Sequence, residues 1–276
     1  MFMQTILVTG GSGFIGRHFC HAATLLGWEL IVLSRNPAAA KMVLPESAQI
    51  VSNLDQIASD LAIDSIVNLA GEPLAEHRWT DQRKKQFYAS RSGLTDSLYD
   101  FFCGRQSPPV TLISGSAIGY YGSGSDPRHE GSAAADGFSH QLCDSWEKSA
   151  TQFESLGTRV CKVRTGIVLG DQGALAKMLL PFNLGLGGRI GDGRQIMSWV
   201  HITDMVNILL HCITDTELSG PINATAPNPV DNKTFVQALG KILHRPTLIP
   251  MPGLIVKLLF GEMGVELLLQ GQCVIP

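Results

Sequence analysis

Nine residues near the N-terminus, Val8-Thr9-Gly10-Gly11-Ser12-Gly13-Phe14-Ile15-Gly16, restrict the fold of this chain more than any other stretch. They continue the apolar run Ile6-Leu7-Val8 and open a helical pattern from about Phe14 to Leu26. Gly11, Gly13 and Gly16 have GxGxxG spacing, while Gly10, Gly13 and Gly16 have GxxGxxG spacing. In a strand–loop–helix unit, one such glycine makes the tight turn, one admits a diphosphate close to backbone, and one packs helix on strand. Free amides at the helix start then face the phosphate charge. Thr9, Gly10, Gly11, Ser12, Gly13, Phe14, Ile15 and Gly16 are therefore the first cofactor-binding candidates.

The next apolar runs, Leu30–Leu33, Ser65–Leu69, Val110–Ile113 and Val160–Val163, alternate with helix-length segments over 80–102 and 138–156. Continuous apolar strands separated by helices predict a parallel sheet covered on both faces, a Rossmann-type doubly wound α/β fold. Residues 1–169 form the expected dinucleotide-binding domain, with a later return of the chain to the sheet. Residues 170–276 form a smaller mixed region on the substrate side. Helices are expected over 201–214 and 231–243, and five glycines within 185–193 predict a loop able to close over a ligand.

The end of the second strand selects the dinucleotide. An NAD site usually carries an acid there for the ribose hydroxyls. This chain reads Leu33-Ser34-Arg35-Asn36. Arg35 suits a 2′-phosphate, Ser34 adds a hydrogen-bond donor and Lys41 adds charge, which predicts NADP(H).

Composition narrows the class. With 276 residues, 45% hydrophobic, 16% charged and a net charge of −3, the chain can bury a large core and has no electrostatic bias toward nucleic acid. Six dispersed cysteines without a CxxC pair read as reduced thiols in a cytoplasmic protein. No metal-ligand spacing occurs. Prolines and charges interrupt the apolar tail from Leu248, so no membrane span is expected. The expected partner is a small-molecule substrate, and a homodimer is left open.

Several segments carry a family resemblance. Thr9–Gly16 is similar to the TGGxGFIG loop of the extended short-chain dehydrogenases/reductases. Ser114-Gly115-Ser116-Ala117-Ile118-Gly119-Tyr120-Tyr121-Gly122 resembles their serine-rich strand end, and Trp199–Met205 their V-H-V-x-D segment. Asn68-Leu69-Ala70-Gly71-Glu72-Pro73-Leu74, Trp146-Glu147, Arg164–Leu169 and Phe260–Met263 resemble the atypical, YfcH-like epimerase family within that superfamily. The resemblance covers essentially the whole chain and includes a C-terminal module of unknown function. It implies cofactor contacts at Asn68, Leu69, Ala70, Gly71 and Ser114, and a family whose chains continue past the position of Pro276.

The superfamily moves its proton with a Tyr-x-x-x-Lys pair. Four residues beyond Tyr88, Tyr99, Tyr120 and Tyr121 stand Ser92, Cys103, Gly124 and Ser125, so that pair is absent. The expected position of the pair reads Phe138 and Leu142. The catalytic candidates left are Ser116, which matches the active-site serine, Tyr121, and His140 near the vacated position. Two functions stay open: an NADP(H)-dependent oxidoreductase or epimerase acting on a small polar or nucleotide-sugar-like substrate, and an inactive NADP(H)-binding sensor or regulator with a link to cell division.

Overall fold

The structure, a computed structural model, describes residues 4–276. In chain order the first half contains β1 (Thr5–Thr9), α1 (Phe14–Leu25), β2 (Glu29–Leu33), α2 (Pro37–Lys41), β3 (Gln49–Val51), β4 (Ser65–Asn68), α3 (Asp81–Tyr88), α4 (Leu94–Cys103), β5 (Thr111–Ala117), β6 (Gly124–Arg128) and α5 (Phe138–Thr151). The second half contains β7 (Arg159–Thr165), β8 (Ile167–Leu169), α6 (Gly173–Asn183), β9 (Ile196–Met197), β10 (Trp199–His201), α7 (Ile202–Thr214), β11 (Gly220–Ala224), β12 (Val230–Asp231), α8 (Asn232–Leu243), α9 (Gly253–Gly264) and β13 (Gln272–Val274).

Seven strands form one parallel sheet in the order β11-β7-β5-β4-β1-β2-β3. Both faces are buried, which explains the uninterrupted apolar runs. Ile6, Val8, Val67 and Ile113 point into a core with Phe19 of α1 and Leu209 of α7. Leu7, Ile66 and Leu112 point the other way, against Leu98 and Phe102 of α4 and Phe153. The chain rejoins the main sheet late, when β11 pairs with β7 at Ile222 and Val163. The fold is the expected Rossmann-type α/β arrangement.

Local details differ from the sequence expectation. The helical run over 80–102 is two α-helices joined by a π-helical segment, Ala89–Gly93, which buries Arg91 and Ser92. Two further helices, α6 and α9, were not expected. Their apolar residues give weak periodicity because α6 contains Pro181 and α9 is broken at Gly261, where φ is 59°. The 185–193 segment is loop, as expected. Among the described residues, no helix is long and apolar enough to cross a membrane.

Candidate functional site

The glycine loop lies beyond the carboxyl end of β1, between the ends of β2 and β4. Gly10 has φ +68°, and a Cβ there would sit 2.6 Å from the Leu69 backbone. A Cβ on Gly16 would reach the Gly10 carbonyl oxygen at 2.2 Å, and one on Gly11 would reach Val32 at 2.7 Å. These glycines let the chain turn inside the space between strands. Gly13 is the N-cap of α1 and offers no side-chain cap, and no acidic residue occupies the first turn. By contrast, Asn36, Thr80 and Asp231 cap α2, α3 and α8 with side-chain oxygens. The start of α1 thus presents uncapped amides and the positive end of its dipole, the donor set a diphosphate needs.

The structure sorts the cofactor candidates into a rim and its support. Ser12, Gly13, Gly71 and Arg35 are exposed along the groove, with Gly10, Leu69, Ala70 and Ser34 half-buried beside them. Beneath lie Thr9 and Asn68: the Thr9 hydroxyl donates to Asn68 Oδ1 at 2.6 Å, and Asn68 Nδ2 donates to Thr95 at 2.8 Å. Ser114 is fully buried in β5. Ile15 packs into the core, and Phe14 packs where a Cβ on Gly170 or Gly173 would collide with its ring. Lys41 ends α2 as an exposed residue.

The catalytic candidates separate in the same way. Ser116 is 4% exposed, and its hydroxyl donates to Glu147 Oε1 at 2.7 Å. Arg164 clamps the same carboxylate, donating from Nε and Nη2 at 2.8 Å each. It also donates from Nη1 to the Tyr121 hydroxyl at 2.8 Å, and that hydroxyl donates to Asn223 Oδ1 at 2.7 Å. Burial opposes the Arg164 charge, but the bonds to Glu147 and Tyr121 outweigh it and hold the pKa above its ordinary value. Burial pushes the Tyr121 hydroxyl up despite Arg164. Tyr121 therefore stands under the loop as a bonded core residue, and a side chain so placed is a poor proton acceptor.

His140 lies differently. Its Nδ1 is 2.8 Å from the Tyr120 carbonyl oxygen. A carbonyl only accepts, so Nδ1 is the donor in this bond, and Nε2 is the ring nitrogen that takes no part in it. The residue lines a cavity of about 460 Å³ with Gly122, Ser139, Glu262 and Glu266. Ser139 donates from both its amide and its hydroxyl to Glu266 Oε2.

One expectation is corrected. Phe138 and Leu142 do not face the end of β5; they join Trp79 and Phe87 in an aromatic cluster. A Cβ on Gly119, just past β5, would instead meet Ser139 at 3.1 Å and the Cys143 sulfur at 3.9 Å. The face turned to the strand end carries Ser139, Cys143 and Glu147, each four residues apart. Rotation by one residue, about 100° on a helix, moves the pair's place from phenylalanine and leucine to serine and cysteine. The four-residue rhythm of polar side chains was visible in the sequence. Glu147 and the buried Arg91 were not singled out as site residues.

A Rossmann sheet with an uncapped glycine loop and a guanidinium past its second strand defines a dinucleotide-binding α/β protein. The profile of the NAD dependent epimerase/dehydratase family matches residues 6–224. The chain is 35% identical over 276 residues to the Bacillus subtilis epimerase family protein YfhF, covering 99% of this chain and 90% of that protein. It is 36% identical over 277 residues to human epimerase family protein SDR39U1, covering 98% and 91%. The crystal structure of human SDR39U1 (isoform 2) with NADPH superposes with a TM-score of 0.88 at 34% identity, covering 99% of this chain and 91% of that one. Bacillus cereus UDP-glucuronic acid 4-epimerase, in complex with UDP-glucuronic acid and NAD, shares the fold at a TM-score of 0.76 and 17% identity, covering 97% and 94%. The chain belongs to the epimerase family of the extended short-chain dehydrogenases/reductases.

Proposed function

We propose that this protein binds NADP(H) in the groove over β1 and exchanges hydride with a small polar or nucleotide-sugar-like substrate, as an oxidoreductase or epimerase. The observation carrying this reading is the uncapped start of α1 beside an exposed Arg35 where an acid would select NAD. The relative crystallised with NADPH supports the same cofactor. The residues fit that nucleotide: amides past Gly10 for the diphosphate, Arg35, Ser34 and Lys41 for the 2′-phosphate, and the Leu69–Gly71 backbone along the other wall. Bound there, the nicotinamide would supply hydride.

In this reading the proton moves through His140, whose free Nε2 belongs to a ring beside a cavity and near the vacated pair. The Ser116 hydroxyl already donates its hydrogen bond to Glu147, so toward a substrate it offers oxygen lone pairs and positions rather than donates. The test is calorimetry with NADPH and NADH, then deuterium transfer from 4-deuterated NADPH across a panel of carbonyl compounds and nucleotide sugars. His140→Gln should abolish transfer and leave NADPH affinity intact.

A second reading, a catalytically silent NADP(H) sensor, is favoured by the burial of both Ser116 and Tyr121. Tight NADPH binding with no deuterium transfer to any member of the panel selects it.

A further inference from the structure

We infer that Glu72 sets how strongly the groove prefers a 2′-phosphorylated dinucleotide, because it holds Arg35 as a competing anion; this rests on the cofactor reading above. The sheet order places β1 between β2 and β4, so residues just past β2 and β4 flank the glycine loop from opposite sides. Arg35 leaves β2, Glu72 leaves β4, and Arg35 Nη2 meets Glu72 Oε2 at 3.6 Å. The two partners thus leave the strands on either side of β1, the strand that carries the glycine loop.

Glu72 is the fixed partner. Its amide donates to Ser90 Oγ at 2.9 Å, and its carbonyl accepts from Arg91 Nη2 at 3.0 Å. Arg91 is buried, and a Cβ on Gly71 would lie 2.8 Å from its guanidinium, so the loop packs directly on that side chain. The Glu72 carboxylate also meets Arg83 Nη1 at 3.4 Å, while Arg83 Nη2 donates to the Pro73 carbonyl at 3.2 Å. Arg35 is the movable partner, with its side chain 90% exposed.

Both contacts to the carboxylate are longer than the roughly 2.7–2.9 Å of a tight charge-assisted bond. Glu72 therefore holds Arg35 loosely, and Arg83 remains on the carboxylate when Arg35 leaves. A 2′-phosphate carries up to two negative charges against one, so it takes Arg35 over. Its affinity is reduced by the pair that must break and by the carboxylate left nearby. A ribose hydroxyl carries no charge and does not compete for Arg35. Glu72 thus acts as a brake on NADPH and leaves NADH nearly untouched.

Calorimetric titration of the full chain at low salt tests this. Glu72→Gln keeps an oxygen for Arg83 and removes the charge. The NADPH dissociation constant should fall about two- to fivefold, the range of an exposed ion pair, with a smaller change for NADH. The gain should vanish in an Arg35→Ala background, where the competition has no object. It should also vanish near about 1 M salt, where exposed charges are screened. Glu72→Asp, which withdraws the carboxylate by one methylene, should give a smaller gain and serves if Glu72→Gln does not fold. Weaker or unchanged NADPH binding in both variants, equal gains for both nucleotides, or a gain that persists without Arg35 overturns the inference. A wild-type chain that binds neither nucleotide overturns the cofactor reading itself and this inference with it.

Discussion

In the proposed groove Gly16 and Arg35 have opposite parts: one adds no side chain, the other adds charge. A Cβ at Gly16 would overlap a carbonyl oxygen at 2.2 Å, backbone that cannot rotate away. Gly16→Ala should cost about 1–3 kcal/mol of stability, seen as a lower urea midpoint, and should abolish nucleotide binding. Arg35→Asp should leave stability alone and shift preference from NADPH toward NADH by about 2 kcal/mol, the scale of a charged hydrogen bond. Unchanged relative affinities in calorimetry would remove Arg35 from the 2′-phosphate site. The thiols give a pH prediction. Burial pushes Cys20 up to about 12, and burial followed by the Glu147 charge pushes Cys143 to about 11, against an ordinary value of 9.0. Between these values the unfolded chain releases thiol protons that the folded chain keeps. Stability from this source is therefore complete below pH 9 and falls as pH rises toward 11. Urea unfolding at pH 8, 9 and 10 should show a steeper alkaline decline in the parent than in Cys143→Ala.

At the scale of elements, the start of α1 differs from the side-chain-capped starts of α2, α3, α7 and α8, and shares its lack of a side-chain cap with α5, α6 and α9. Asp231 Oδ1 accepts from the Thr234 amide at 2.7 Å. The Thr234 side chain and amide together hold the Asp231 carboxyl below its ordinary value. Asp231→Ala should cost about 1 kcal/mol at pH 7 without changing NADPH affinity. The difference between parent and variant should shrink as pH drops below about 4, because protonation removes the acceptor charge. The start of α1 has no such residue to lose, so its amides remain for a ligand. The π-helical segment Ala89–Gly93 plays a different part. Its widened turn brings Arg91 inward, where burial lowers its pKa to about 10, and bonds it to the loop after β4. The groove wall is thereby anchored from below.

Over the whole molecule, one buried polar network joins β5, α5, β7 and β11 through Ser116, Glu147, Arg164, Tyr121 and Asn223. Glu147→Ala strips a buried guanidinium of its carboxylate and should cost about 3–5 kcal/mol, read as a large drop in the unfolding midpoint. The network ties the last strand of the sheet to the strand end where superfamily chemistry takes place. Nucleotide binding should also register globally. A ligand at about 100 times its dissociation constant adds about 2.7 kcal/mol, so saturating NADPH should raise Tm by several degrees and NADH by less at equal concentration.

Much of the architecture was legible because its determinants are local. Short apolar runs at helix-length intervals need two covered faces, and the Gly10–Gly16 spacing directly between a strand and a helix fits the tight turn and close packing that those glycines allow. The sequence thus determined the parallel sheet, the place of the glycine loop at the start of α1 and the absence of a Tyr-x-x-x-Lys pair. The facing of α5 was legible only in part, since one residue of rotation exchanges Phe138 and Leu142 for Ser139 and Cys143. Tertiary structure alone decided which polar groups were consumed. Ser116 is bound to Glu147, Tyr121 is enclosed by Arg164 and Asn223, and Arg35 is drawn toward Glu72 from 37 residues away in sequence. The physical reason is range: turns, caps and periodicity act over a few residues, whereas burial and ion pairing depend on which distant strands the sheet sets side by side.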